Sequence, residues 1–182
     1  MKHCGSLLLT VVVVVFLGCG RSEDFQGEYD AYLAEMGADN DAVVPLIEDF
    51  VDVIKELRRV DPSTVPVSAD ELIIEAGDYI EQNRRLKAAG EGVESDFEPL
   101  QVFESAKQEI LTGFDDLLDG YITFIENFDY SQANEDAIPG MHELKLATYC
   151  GKLIEEAERL ERRFSEAERN LRSALLDEGV EP

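Results

Sequence analysis

The sequence predicts an all-α protein: an elongated antiparallel bundle of four to five helices that ends in a long, coiled-coil-like helix. Two observations support this fold class. Apolar residues recur at alternating steps of three and four along most of the 182-residue chain. Glycines and prolines cluster between these periodic segments, and no alternating run is long enough to form a convincing strand.

The N-terminus has the pattern of a targeting segment. A short region containing Lys2 precedes an apolar run from Leu7 to Leu17. That run is shorter than the roughly 20 apolar residues that span a bilayer. We therefore interpret residues 1–18 as a signal peptide rather than an uncleaved anchor helix.

The residues Phe16-Leu17-Gly18-Cys19 resemble the lipobox of bacterial lipoprotein precursors. The resemblance implies cleavage after Gly18 and a lipid anchor on Cys19. Phe16 stands where that family usually has an aliphatic residue, so ordinary signal peptidase cleavage nearby is the alternative. The implied location is the extracytoplasmic side of a bacterial envelope. In a Gram-negative cell, Gly20 after the cysteine favours the periplasmic face of the outer membrane.

The mature chain divides into a lipidated tether over residues 19–24, one helical-bundle domain over 25–178 and a disordered tail over 179–182. Within the domain, Gly37 is expected to end a short first helix. A second helix begins near Pro45, because proline is tolerated only in a first turn.

Three further helices follow. The third begins at a capping box formed by Ser68 and Glu71, and it ends at Gly90. The fourth begins near Pro99 and ends at Phe128, and a segment rich in turn-forming residues connects it to the fifth.

The fifth helix has the most regular pattern, with apolar positions that alternate steps of four and three from Leu146 to Ala174. This spacing is typical of coiled-coil packing. At about 1.5 Å per residue the helix extends roughly 50 to 60 Å, which is longer than its neighbours can cover. Part of the stripe is therefore expected to bind a protein partner or a second copy of the chain. Leu160, Phe164 and Leu171 are expected to form the energetic centre of the bundle, and they are also the candidate interaction positions.

Acidic residues dominate the composition, with 40 Asp and Glu against 16 Lys and Arg and a net charge of -24. This balance excludes nucleic-acid binding, which depends on basic residues that neutralise phosphates. The excess lies in residues 23–54, which hold no base, and in residues 94–143, where Lys107 is the only one. Such faces keep a protein soluble, or they attract divalent cations or a basic partner.

One short motif suggests metal chemistry. Asp115, Asp116 and Asp119 form a DDxxD pattern that resembles the magnesium-binding motif of isoprenyl diphosphate synthases. The sequence has no second Asp-rich motif and few bases to hold a diphosphate. We predict no metal site, and these three residues are the candidate ligands if a cation does bind.

Catalytic motifs are absent from the sequence. Cys150 would be the one unmodified thiol of the mature chain, and His142 is its single histidine. There is no Gly-rich phosphate loop and no Gly-x-Ser-x-Gly elbow. We predict no enzymatic activity and no cofactor. The expected function is protein interaction or envelope structure by a lipid-anchored protein, and the alternative is a bundle that binds a small ligand or divalent metal through its acidic face.

Overall fold

The computed structural model describes residues 4–59, 69–93, 95–128 and 141–182, with only the helical backbone given for residues 4–23. Four helices pack against one another, and no strand occurs in these ranges. The all-α bundle is therefore confirmed, and the four helices of these ranges agree with the predicted four to five. They are α1 (Cys4–Arg59), α2 (Ala69–Gly90), α3 (Glu98–Asn127) and α4 (Met141–Asp177).

Helices α3 and α4 are antiparallel. The ring of Phe103, near the start of α3, lies 5.8 Å from the ring of Phe164, while Tyr149 donates to the Gly120 carbonyl at 2.6 Å further along α3. Residue numbers therefore increase along α3 in the direction in which they decrease along α4. The C-terminal end of α4 consequently lies beside the first turns of α3.

Helices α2 and α3 are also antiparallel. The Gln108 amide donates to the Lys87 carbonyl at 3.0 Å, and the Asn83 amide donates to the Leu111 carbonyl at 2.8 Å. The backbone of α1 lies close to those of α2 and α4, whereas α1 meets α3 mainly through side chains across the bundle axis. The four helices thus form a ring in chain order, with α1 and α3 on one diagonal.

Helix α1 is continuous where two helices were predicted. Gly37 is half-buried within it, and Pro45 lies on its exposed side. An interior glycine costs about 1 kcal/mol and an interior proline about 3 kcal/mol. An unbroken buried stripe passes both positions and offsets these costs, so the predicted break was wrong. The stripe includes Met36, Val43, Ile47, Phe50 and Ile54.

The boundaries that the structure describes for α2 and α3 agree with the predictions. Helix α2 ends at Gly90, and α3 contains Pro99 in its first turn and ends at Asn127. Ser68 of the predicted capping box and the connection over residues 129–140 lie outside the described residues.

The last four residues, 179–182, do not form the disordered tail that we expected. Gly179 has a φ of 75°, a conformation that favours glycine. Its N–H donates to the Leu176 carbonyl at 3.1 Å, and the N–H of Val180 donates to the Leu175 carbonyl at 2.8 Å. These are the two bonds of a Schellman cap. Val180 and Leu175 are both buried, so an apolar contact holds the chain end against the bundle.

The core is centred on Phe50 of α1. Its ring meets Tyr79, Phe114 and Tyr121 at centroid distances of 5.4, 5.6 and 5.4 Å, all with steep interplanar angles. Edge-on aromatic contacts of this kind add about 0.5 to 1.5 kcal/mol each beyond simple burial. Phe50 therefore connects α1 to both α2 and α3.

Candidate functional site

A ring of four polar side chains lies inside the bundle between α1 and α3. The Lys107 ammonium donates to Glu104 Oε1 at 2.6 Å and to Asn40 Oδ1 at 2.8 Å. The Asn40 amide donates to Tyr32 Oη at 2.8 Å, and the Tyr32 hydroxyl donates to Glu104 Oε1. Each side chain thus bonds to two others, and all four are buried.

The electrostatics of this ring favour a structural role. Burial and, after it, the hydrogen bond to Glu104 raise the pKa of Tyr32 above its usual value, so the hydroxyl remains a neutral donor. The Lys107 side chain is 1% exposed, so a ligand could reach its ammonium only if the bundle opened. Buried ion pairs add little net stability, but breaking one is costly. We interpret this ring of hydrogen bonds as a structural contact that fixes the alignment of α1 with α3.

Sequence reasoning noted Lys107 as an isolated base but did not place it in the core. The sequence nevertheless contains a pattern that indicates burial of Lys107. Leu100, Glu104, Lys107 and Leu111 follow each other at steps of four, three and four, the spacing of a buried helical stripe. Two charged residues at core positions of the same stripe indicate a buried pair, because neither is tolerated there alone.

The three aspartates of the DDxxD pattern have different environments. Asp115 Oδ1 accepts from the Asn83 amide at 2.5 Å, and Asp115 Oδ2 lies 2.5 Å from Lys87 Nζ. Asp116 and Asp119 are exposed. Within the described residues, no group of three or more His, Cys, Asp or Glu side chains could hold a metal ion. In this structure Asp115 connects α3 to α2.

We expect calcium and magnesium to affect this protein only through ionic strength. Both oxygens of Asp115 are already bonded within the fold. A melting temperature in millimolar CaCl₂ or MgCl₂ should match that in NaCl of equal ionic strength to within about one degree, whereas specific binding would raise it by several degrees. A melting temperature that rises saturably with CaCl₂ or MgCl₂ above the value in the NaCl control would support the metal-binding alternative.

The three expected interaction positions on α4 are buried. Leu160 and Phe164 are 1% and 0% exposed, and Leu171 is 9% exposed. Since α1 is not broken at Gly37, it packs along α4 and covers this stripe. Leu160 and Phe164 are therefore part of the core in this structure, whereas Leu171, although mostly buried, lines a groove between α3 and α4.

Cys150 is also fully buried, on α4. Burial raises the pKa of its thiol from the usual 9.0 to about 11, and the positive charge of Arg58 opposes this only in part. The thiol is therefore protonated at neutral pH, as expected for a small apolar core residue. The side chain of His142 lies outside the described residues.

An open groove of about 600 Å³ lies between the first half of α3 and the second half of α4. Elsewhere the two helices approach closely, since a Cβ added at Gly113 would lie 2.9 Å from Leu160 Cδ2. Along the groove, alanines fill less space, and Val102 remains 60% exposed. The small apolar residues of the lining are Pro99, Val102, Ala106, Ala167 and Ala174.

The charged residues that line this groove are mostly acidic. Among the described residues that line it, Arg163 is the one base, and it lies 3.1 Å from Glu109, so its charge is already paired. The groove therefore combines an apolar lining with a negative border. The acidic lining residues are Asp96, Glu98, Glu166 and Glu178.

The fold and the groove define an acidic four-helix bundle with an open apolar groove between two neighbouring helices. Within the part of the chain that the structure describes, no helix is long and apolar enough to cross a membrane. No protein-family model, curated protein or solved structure matches this chain.

Proposed function

We propose that this protein is a lipid-anchored, extracytoplasmic helical bundle that binds another protein of the bacterial envelope and has no catalytic role. The observation that supports binding is the apolar groove between α3 and α4, in which Val102 is 60% exposed. Apolar grooves bordered by polar residues are typical of interaction sites. In this proposal the long, coiled-coil-like α4 forms one wall of an elongated binding face.

The proposed anchor lies at the same end of the bundle as the groove. Phe25 lines the groove and stacks on Phe97, with ring centroids 4.5 Å apart. Cys19 precedes Phe25 by six positions (25 − 19 = 6), which is about 9 Å of helix. A lipid on Cys19 would hold the groove near the membrane surface, where other anchored proteins are within reach.

Replacing Cys19 with serine is expected to remove the acyl chains, because the thioether that carries them cannot form. Mass spectrometry of the mature N-terminus measures the lipid directly, and membrane fractionation measures release once the signal peptide is cut elsewhere. Cys4→Ser is the matched control, since Cys4 would leave with the signal peptide. A parent N-terminus without acyl chains, or an N-terminal mass that changes in Cys19→Ser only by the exchange of sulfur for oxygen, would disprove the anchor.

A photo-crosslinking amino acid at position 102 should capture an envelope protein in intact cells. The matched control is the same amino acid at position 74, because Ile74 is 71% exposed on α2 and does not line the groove. The measurement is the yield of specific adducts at the two positions. Equal yields, or none at position 102, would contradict the binding role.

A further inference from the structure

We infer that the groove between α3 and α4 binds a cationic amphipathic helix of a partner protein. This inference rests on the proposed binding function and adds the chemical nature of the partner.

The dimensions of the groove suit a helix. Its lining extends from Phe97, just before α3, to Ile110 on α3, and from Arg163 on α4 to Glu178, just after α4. These stretches are roughly 20 and 23 Å long, the length of about four helical turns. Ala106 and Ala167 allow a third helix to approach at ordinary packing distance, and a helix with one apolar face can bury Val102.

The charge of the groove selects a cationic helix. Four carboxylates border it, and Arg163 is neutralised by Glu109. Lysine or arginine residues beside the apolar face of a partner would meet these carboxylates at the solvent-exposed edge, where neither charge has to leave water. The net charge of -24 also accelerates the encounter with a cationic partner.

The same charges disfavour two other occupants. A second copy of the chain carries the same charge of -24, so two copies repel each other. A fatty acid or an anionic phospholipid would bring its head group to a border of carboxylates. The diacylglycerol proposed for Cys19 is neutral, so the experiment must remove it.

The test is a fluorescence-anisotropy titration of the purified full chain carrying Cys19→Ser. The probe is a labelled helical peptide of about 15 residues, with leucine and alanine on one face and lysine on the other. A scrambled peptide of the same composition keeps the positive charge but has no apolar face. A peptide with glutamate in place of lysine keeps the apolar face but carries negative charge. We expect saturable binding of the amphipathic lysine peptide, about tenfold weaker at high salt, and at least tenfold weaker binding of both controls.

Substitutions then locate the binding site. Val102→Gln should weaken peptide binding by about tenfold, because it places a polar group on the apolar contact surface. Ile74→Gln is the matched control, and it should leave binding unchanged. Both side chains are mostly exposed, so circular dichroism and the melting temperature should be unchanged in both variants.

Removal of acidic charge tests the other half of the inference. The double variant Glu98→Gln with Glu166→Gln should weaken binding and reduce its salt dependence. Glu56→Gln with Glu75→Gln removes two other exposed carboxylates outside the groove and should have a smaller effect.

Several results would overturn the inference. If the protein bound the scrambled peptide as tightly as the amphipathic one, charge alone would attract the peptide. The same conclusion would follow if the Val102→Gln variant bound the amphipathic peptide as tightly as the parent. A fluorescent fatty acid that binds the chain and is lost in Val102→Gln would identify a lipid as the occupant, and a dimer abolished by Val102→Gln would identify a second copy. If position 102 captures a protein in cells while the lysine peptide does not bind, the binding function stands and only the partner chemistry is wrong.

Discussion

Replacing Lys107 with methionine is expected to lower the free energy of unfolding by about 3 to 5 kcal/mol. Methionine fills much of the same space, so the loss comes from the charges. Glu104, which is 6% exposed, would keep a negative charge without its cation, and Asn40 would lose a donor. Urea denaturation followed by circular dichroism measures the change.

A double variant separates lost charge from lost volume. Combining Lys107→Met with Glu104→Gln removes both charges and should restore more than half of the stability, because most of the penalty is the buried unpaired charge. Lys152→Met, on the exposed side of α4, is the control and should change stability by less than about 0.5 kcal/mol. A Lys107→Met protein as stable as the parent would disprove the burial of this ion pair.

Replacing Phe164 with alanine is expected to cost about 3 to 5 kcal/mol, from lost burial and from the cavity that remains. Phe164 is 0% exposed and packs against Phe103, whose ring centroid is 5.8 Å away. Such a loss is a large part of the 5 to 15 kcal/mol typical of a folded domain. Urea denaturation provides the measurement.

Leu144→Ala is the matched control on the same helix, because Leu144 is 61% exposed. It should change stability by less than about 0.5 kcal/mol. If Phe164→Ala were equally mild and instead abolished a complex or dimer, the sequence-based prediction of an interaction surface at this position would be supported over the packing seen here.

The helix boundaries show how far local signals reach. Gly90 and Pro99 mark the end of α2 and the start of α3 correctly. Pro99 acts through its own backbone in a first turn. Gly90 is the last residue of α2, and a Cβ there would lie 2.9 Å from Glu104 Oε2 of α3, so a close approach of α3 also favours glycine at this position. Gly37 has the same local preference and yet lies within α1. The free-energy cost of a glycine inside the helix arises from its own backbone. The packing of α1 on α4, which compensates for this cost, involves residues distant in sequence.

The C-terminal residues show a local signal that could have been used. Gly179 followed by an apolar residue, after a periodic helix, is the pattern of a Schellman cap. The sequence analysis instead predicts a disordered tail over residues 179–182. The structure places Val180 in the core.

The candidate sites depended more on tertiary structure than the helices did. The steps of four and three place Glu104 and Lys107 on a core stripe of α3, but only the packing of α1 supplies Tyr32 and Asn40 as partners. The groove likewise exists because small residues of α3 lie opposite small residues of α4. Neither helix reveals that pairing by itself.

The sequence by itself determined that the protein is helical, that its helices are amphipathic and that its charge is strongly negative. These properties follow from composition and from the spacing of residues along one chain, which the 3.6-residue turn converts directly into faces. Only the tertiary structure decided which faces are covered, that α1 continues through Gly37, that Lys107 is paired inside the bundle and that Val102 stays exposed. The reason is that burial depends on the helix that lies opposite, which periodicity along a single helix does not specify.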